Sequence, residues 1–145
     1  MHIYDEIFFD YIESGSLASA DEIIPILIDT LSPRSILDVG CGRGAWCSKW
    51  IEHGIQDTYG VDGEYVSKDK LKFLNEHFIT KNLASSFNLG RKYDLVVSLE
   101  VAEHIPEVDS DMFIHNLVQH GKVILFSAAT PAIDHLLFAV QIWAV

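Results

Sequence analysis

A β-rich run that breaks into alternating glycines constrains this chain more than any other feature. Ser35-Ile36-Leu37-Asp38-Val39 is a short strand pattern. Gly40, Cys41, Gly42, Arg43 and Gly44 follow at once, and residues 44–53 then read as a helix stopped by Gly54. Glycine permits positive φ and lets another group approach the bare backbone. The helix behind the bend opens with unpaired N–H groups. Strand, bend and helix together make either a cradle for a nucleoside-like cofactor at the carboxyl edge of a sheet or a tight structural turn with no ligand.

Two acids sharpen that choice. Asp38 lies two residues before the first glycine. A carboxylate there would repel a dinucleotide pyrophosphate and suits a cofactor that carries an ammonium group. The spacing G-x-G-x-G, in place of G-x-G-x-x-G, also argues against a nicotinamide dinucleotide and its oxidoreductase chemistry. Asp62 ends the next strand pattern, where an acid can accept hydrogen bonds from both ribose hydroxyls. Its alternative reading is a turn residue, since Asp62-Gly63 is a common turn dipeptide.

Elsewhere the pattern alternates. Helices are expected over residues 4–13 and 21–31, separated by Ser14-Gly15-Ser16, with Pro25 tolerable only near a first turn. Strands are expected at 58–62, 78–81, 93–99 and 122–128, and a helix at 111–120. Short apolar strands between helices predict the α/β class, a doubly wound, mostly parallel sheet of about five strands with helices on both faces. The 145 residues make one domain. Its parts are N-terminal helices (1–33), a cofactor-binding core (34–129) and an apolar tail (130–145). The tail is too short for two strands and a crossover helix, and one apolar helix is expected. Such a helix must be buried, either against the fifth strand or in a homodimer contact through that strand or the tail.

Composition removes several partner classes. Twenty-one acidic residues against ten basic ones give a net charge of -11, which disfavours nucleic acid as a general partner. No apolar run reaches the roughly 18–20 residues of a membrane span. The N-terminus lacks a signal-peptide pattern. Cys41 and Cys47 fit neither zinc nor C-x-x-C spacing, so free thiols in a reducing cytoplasm are expected. Trp46 and Trp50 are expected to pack in the core, and His115, His120 and His135 to be ordinary surface or core residues.

Three segments in order carry a resemblance: Leu37-Asp38-Val39-Gly40-Cys41-Gly42-Arg43-Gly44, Val61-Asp62-Gly63, and the run from Tyr93-Asp94-Leu95-Val96-Val97-Ser98-Leu99 through Glu100, Glu103 and His104 to Pro106. They resemble the first, second and fourth-strand motifs of the class I, Rossmann-like S-adenosylmethionine-dependent methyltransferases, over about residues 34–129. The resemblance implies that fold without its usual last two strands, S-adenosylmethionine as cofactor, and methyl transfer to an acceptor that is expected to be a small molecule. It also implies roles. Asp38 would bind the methionine ammonium, Gly40, Cys41 and Gly42 would line the methionine and ribose portions, and Asp62 would hold the ribose hydroxyls. Gly63 would border the adenine, and Asn82-Leu83 stands where the family often has Asp-Leu beside the adenine amino group. Glu100 would face the cofactor from the fourth strand. His104 and Glu103 are the candidate catalytic bases. Glu100, Glu103 and His104 also form an E-x-x-E-H cluster of a kind that some methyltransferases use for a divalent metal. No further downstream ligand is evident, so no metal is expected. The shortened C-terminus leaves a second reading, a non-catalytic cofactor-binding or scaffold protein.

Overall fold

The computed structural model describes residues 6–129 and 141–144. Strands β1 (Ser35–Val39), β2 (Asp57–Asp62), β3 (Phe78–Thr80), β4 (Leu95–Leu99), β5 (Val123–Ser127) and β6 (Gln141–Ala144) form one sheet in the order β3-β2-β1-β4-β5-β6. The first five run parallel, and β6 is antiparallel to β5. Chain order reverses between β1 and β4, so the two following connections leave in opposite directions and open a crevice at the carboxyl ends of those strands.

Helices cover both faces, as expected. On one face α1 (Glu6–Leu31) and α2 (Ala45–Glu52) bury Ile24, Leu27 and Trp50 against Ile36, Leu95, Val97 and Leu125. On the other, α3 (Ser110–His120) buries Phe113 and Leu117 against Leu37, Val39, Val96 and Ile124. Alternation along β1 explains the split: Ile36 and Asp38 point toward α2, and Leu37 and Val39 toward α3. Trp50 is fully buried, whereas Trp46 is half-buried beside the crevice.

Two expectations need correction. The N-terminal segment is one helix within the described residues, running through both Ser14-Gly15-Ser16 and Pro25. Ala20, Ile24 and Leu27 form a buried stripe that spans Pro25, and this packing outweighs the lost helix bond. Pro25 and Asp21 are exposed, so water can serve the carbonyl that proline leaves without a partner. The tail, in turn, is not simply a helix laid on the core. Its residues 141–144 form β6, and alternate backbone groups of β5 find their partners there. The outer edge of β5 is therefore paired with β6. The rest of the tail, with His135, lies outside the described residues.

Candidate functional site

The crevice at the β1/β4 reversal is a cleft of about 1820 Å³. All eleven residues singled out from the sequence line it: Asp38, Gly40, Cys41, Gly42, Asp62, Gly63, Asn82, Leu83, Glu100, Glu103 and His104. They come from four strand ends, and the parallel register of β1 with β2 and β4 brings those ends to one edge.

The glycine bend is shaped by two different demands. Gly40 has φ +86°, and a Cβ there would run into the Val101 side chain, so the bend and the segment after β4 touch only because Gly40 has no side chain. Gly42 has φ +54° and nothing within 4 Å of where its Cβ would be, so its backbone faces open cleft. The Gly42 N–H donates to Asp62 Oδ2 at 2.7 Å, which ties the bend to the end of β2.

Asp62 is almost fully buried and accepts two further hydrogen bonds at Oδ1, from the Gly63 N–H at 2.7 Å and from the Tyr65 hydroxyl. Burial raises its pKa above the ordinary carboxylate range, and these three donors pull it part of the way back. A carboxylate offers about four lone-pair sites, so one remains. Tyr65 was not found from the sequence. Its ring lies against Gly63 and is largely exposed, and the only signal was an aromatic three residues after the acid.

Asp38 is 5% exposed and accepts a hydrogen bond from Cys47 Sγ at 3.6 Å. Burial pushes its carboxyl up from 3.8 to about 7. The hydrogen bond from the Cys47 thiol opposes that rise, and the charge of Asp62 adds to it. Burial likewise holds the Cys47 thiol at about 11 and raises Cys41 above its ordinary value, so both stay protonated near neutral pH. Two buried acids thus share one pocket with neutral donors as their hydrogen-bond partners. That is an environment suited to a positively charged ligand.

Glu100 occupies the left-handed region at φ +57°, a strained position for a residue with a side chain. Ser127, at the end of β5, holds it there: the Glu100 N–H donates to Ser127 O at 3.0 Å, and Ser127 Oγ donates to Glu100 Oε1 at 2.7 Å. Burial raises the Glu100 pKa, Ser127 lowers it, and the charge of Glu103 raises it again. Ser127 was missed because it is 27 residues away in sequence. Glu103 and His104 sit in a short 3₁₀ turn (Ala102–His104) and are exposed at the cleft rim. Among the described residues, no three His, Cys, Asp or Glu side chains converge as a metal site requires.

Asn82 uses its side-chain oxygen locally, accepting the Ala84 N–H at 3.0 Å in a turn. His115 is exposed. His120 is buried, with Nδ1 2.6 Å from Asn116 O and Nε2 accepting the Leu89 N–H at 3.0 Å, a structural arrangement of neutral imidazole.

A family model described as a methyltransferase domain matches residues 14–141. The chain belongs to that methyltransferase family. The ubiquinone biosynthesis O-methyltransferase of Rickettsia typhi is 33% identical over 110 residues, which cover 70% of this chain and 42% of that protein. Its counterpart in Bordetella avium is 27% identical over 130 residues, covering 82% and 52%. The methyltransferase domain therefore spans about half, or less, of the length of these relatives. Among solved structures, magnesium protoporphyrin IX methyltransferase from Synechocystis PCC 6803 with bound SAM superposes with a TM-score of 0.63 at 25% identity, over 83% of this chain and 62% of that one. A sugar N-methyltransferase from Streptoalloteichus sp ATCC 53650 reaches 0.73 at 20% identity, over 91% and 57%, and shares the fold. No helix among the described residues is long and apolar enough to cross a membrane.

Proposed function

We propose that this methyltransferase domain binds S-adenosylmethionine in the cleft and transfers its methyl group to a small-molecule acceptor. The observation that carries the reading is the hydrogen bond from the Gly42 N–H to Asp62, with Asp38 buried beside it. This combination sets an open backbone edge between two acids. The residues fit the cofactor: Gly42 leaves space where a side chain would intrude, Asp38 offers a carboxylate to an ammonium, and Asp62 keeps one lone-pair site for ribose.

When bound, the sulfonium supplies an already activated methyl group for in-line displacement by the acceptor, with S-adenosylhomocysteine leaving. The protein's part is alignment and exclusion of water. Glu100, fixed by Ser127, forms the wall at the end of β4. Glu103 and His104 stand at the rim, where either could take a proton from an acceptor hydroxyl or amine. The cleft exceeds the roughly 300–1,000 Å³ of a typical single-ligand pocket, which supports room for an acceptor beside the cofactor. The small-molecule class is further supported by the names of the O-methyltransferase relatives and by a net charge of -11, which repels polyanions. We propose a cytoplasmic location as part of the same reading, consistent with the two free thiols. A homodimer through the apolar tail would use β6, one of the two edge strands of the sheet among the described residues.

Calorimetric titration with S-adenosylmethionine, S-adenosylhomocysteine and NAD tests the binding half. The first two should bind and NAD should not. A methyl-release assay over hydroxyl and amine acceptors tests the second half. Binding of NAD in preference to the adenosyl compounds would overturn the proposal.

A further inference from the structure

We infer that Asn116, on α3, is a positioning residue that sets from behind the cleft wall at residues 82–84, where the family resemblance would place the adenine. The inference rests on the proposed cofactor reading. Residues 82–84 line the cleft, and the connection they begin, from β3 to β4, has little regular structure of its own. Its register is held by side chains of α3. Asn116 is completely buried, and Oδ1 accepts the Phe87 N–H at 3.2 Å. Nδ2 donates to Ser85 O at 2.8 Å and to Leu83 O at 3.4 Å. One turn further, Gln119 Nε2 donates to Phe87 O at 2.6 Å, and His120 takes the Leu89 N–H.

This arrangement separates two tasks. Leu83 and Phe87 anchor the connection in the core by burying their side chains, and Phe87 also stacks on His120 with ring centroids 5.3 Å apart. Apolar burial is non-directional and leaves the backbone free to slide by a fraction of a residue. Asn116 removes that freedom, because an amide satisfies donors and acceptors only in one register. The carbonyl of Leu83 points at Asn116, so the outward side of residues 82–84 is fixed toward the cleft. A purine edge packed there meets groups whose height α3 has already set.

The test uses the full chain with Asn116→Ala and Asn116→Asp, and S-adenosylhomocysteine and its deaminated analogue S-inosylhomocysteine as probes. Aspartate can still accept the Phe87 N–H, but it turns a second oxygen toward the carbonyls of Leu83 and Ser85. It should therefore do no better than alanine. We expect S-adenosylhomocysteine to bind either variant about tenfold more weakly. The preference for the adenine over the hypoxanthine base should shrink, and hydrogen exchange at the amides of 84–89 should speed up. Gln119→Ala removes the donors to Phe87 O and to Asn116 Oδ1 while leaving the Asn116 bonds to the connection in place, and it should give a smaller loss in the same direction, which keeps the test decisive where an Asn116 variant folds poorly. A lower melting temperature with unchanged base preference would overturn the inference and leave the cofactor reading standing. Failure of the native chain to bind either probe would bring down both.

Discussion

Replacing Asp38 by asparagine should make the free protein more stable while destroying its affinity for the cofactor. Asp38 titrates near 7 in the fold, against 3.8 ordinarily, because burial disfavours its charge. The three-unit difference, at about 1.4 kcal/mol per unit, corresponds to roughly 4 kcal/mol at alkaline pH. The sign follows from proton counting. Below about pH 4 both folded and unfolded chains hold the proton, so there is no penalty. Between pH 4 and 7 the unfolded chain releases it first, and folding stability falls as pH rises. Above 7 the full penalty is in place. The amide of the Asp38→Asn variant never ionises and escapes it. Some relaxation and water entry will relieve the native pocket, so a gain of about 2–4 kcal/mol is expected at pH 8. That corresponds to a melting temperature roughly 5–15 °C higher. At pH 4 the two proteins should melt together. Thermal unfolding followed by circular dichroism at pH 4, 6 and 8 measures all three points. A variant that melts at or below the native protein at pH 8, or a difference that does not change with pH, would refute the electrostatic account of Asp38.

Other outcomes follow from the same geometry. S-adenosylmethionine should bind about tenfold more weakly for each pH unit below 7, because its ammonium requires the ionised Asp38. Calorimetry at pH 6 and 8 that finds equal affinities would exclude Asp38 as its partner. Asp62→Ala should cost the cofactor more than about tenfold in affinity, since a charged acceptor for ribose and the anchor of the Gly42 N–H are lost together. Gly40→Ala should destabilise the fold by roughly 2–4 kcal/mol through its positive φ and its contact with Val101. Val101→Ala in the same chain should recover part of that loss in denaturant melts, and strict additivity of the two would argue against the contact.

The sequence located the residues that line the cleft better than it located the fold's periphery, and the reason is physical. The placement of Gly40, Gly42, Asp38 and Asp62 depends on local backbone geometry and on the ends of adjacent parallel strands, and short motifs encode both. The course of α1 depends on something else. Ser14-Gly15-Ser16 and Pro25 carry real local signals against helix. At Pro25 the signal is overridden by a buried stripe, Ala20, Ile24 and Leu27, whose partner surface on β1, β4 and β5 lies far along the chain, whereas the run through Ser14-Gly15-Ser16 precedes that stripe. Edge strand β6 was missed for a related reason. Leu136 to Val145 is apolar without alternation, so its period does not separate helix from strand, and only the open edge of β5 decides in favour of strand. Ser127, Tyr65 and Asn116 escaped because each acts on a residue whose importance appears only after the sheet has assembled.

The pairing of Asp38 with Asp62 links stability to chemistry. The parallel register sets Asp38 opposite Gly60, so Asp62 stands just beyond the end of β1, within electrostatic reach of Asp38. Two buried acids side by side are electrostatically unfavourable, and a cation relieves them. Under the proposed chemistry, the cofactor enters with a sulfonium and an ammonium and leaves with the ammonium alone. The acids that draw in the charged donor therefore hold the spent product less strongly, because one of the two positive charges has been removed by the transfer itself. Burial that weakens the free protein thereby favours substrate over product at the same pair of carboxylates.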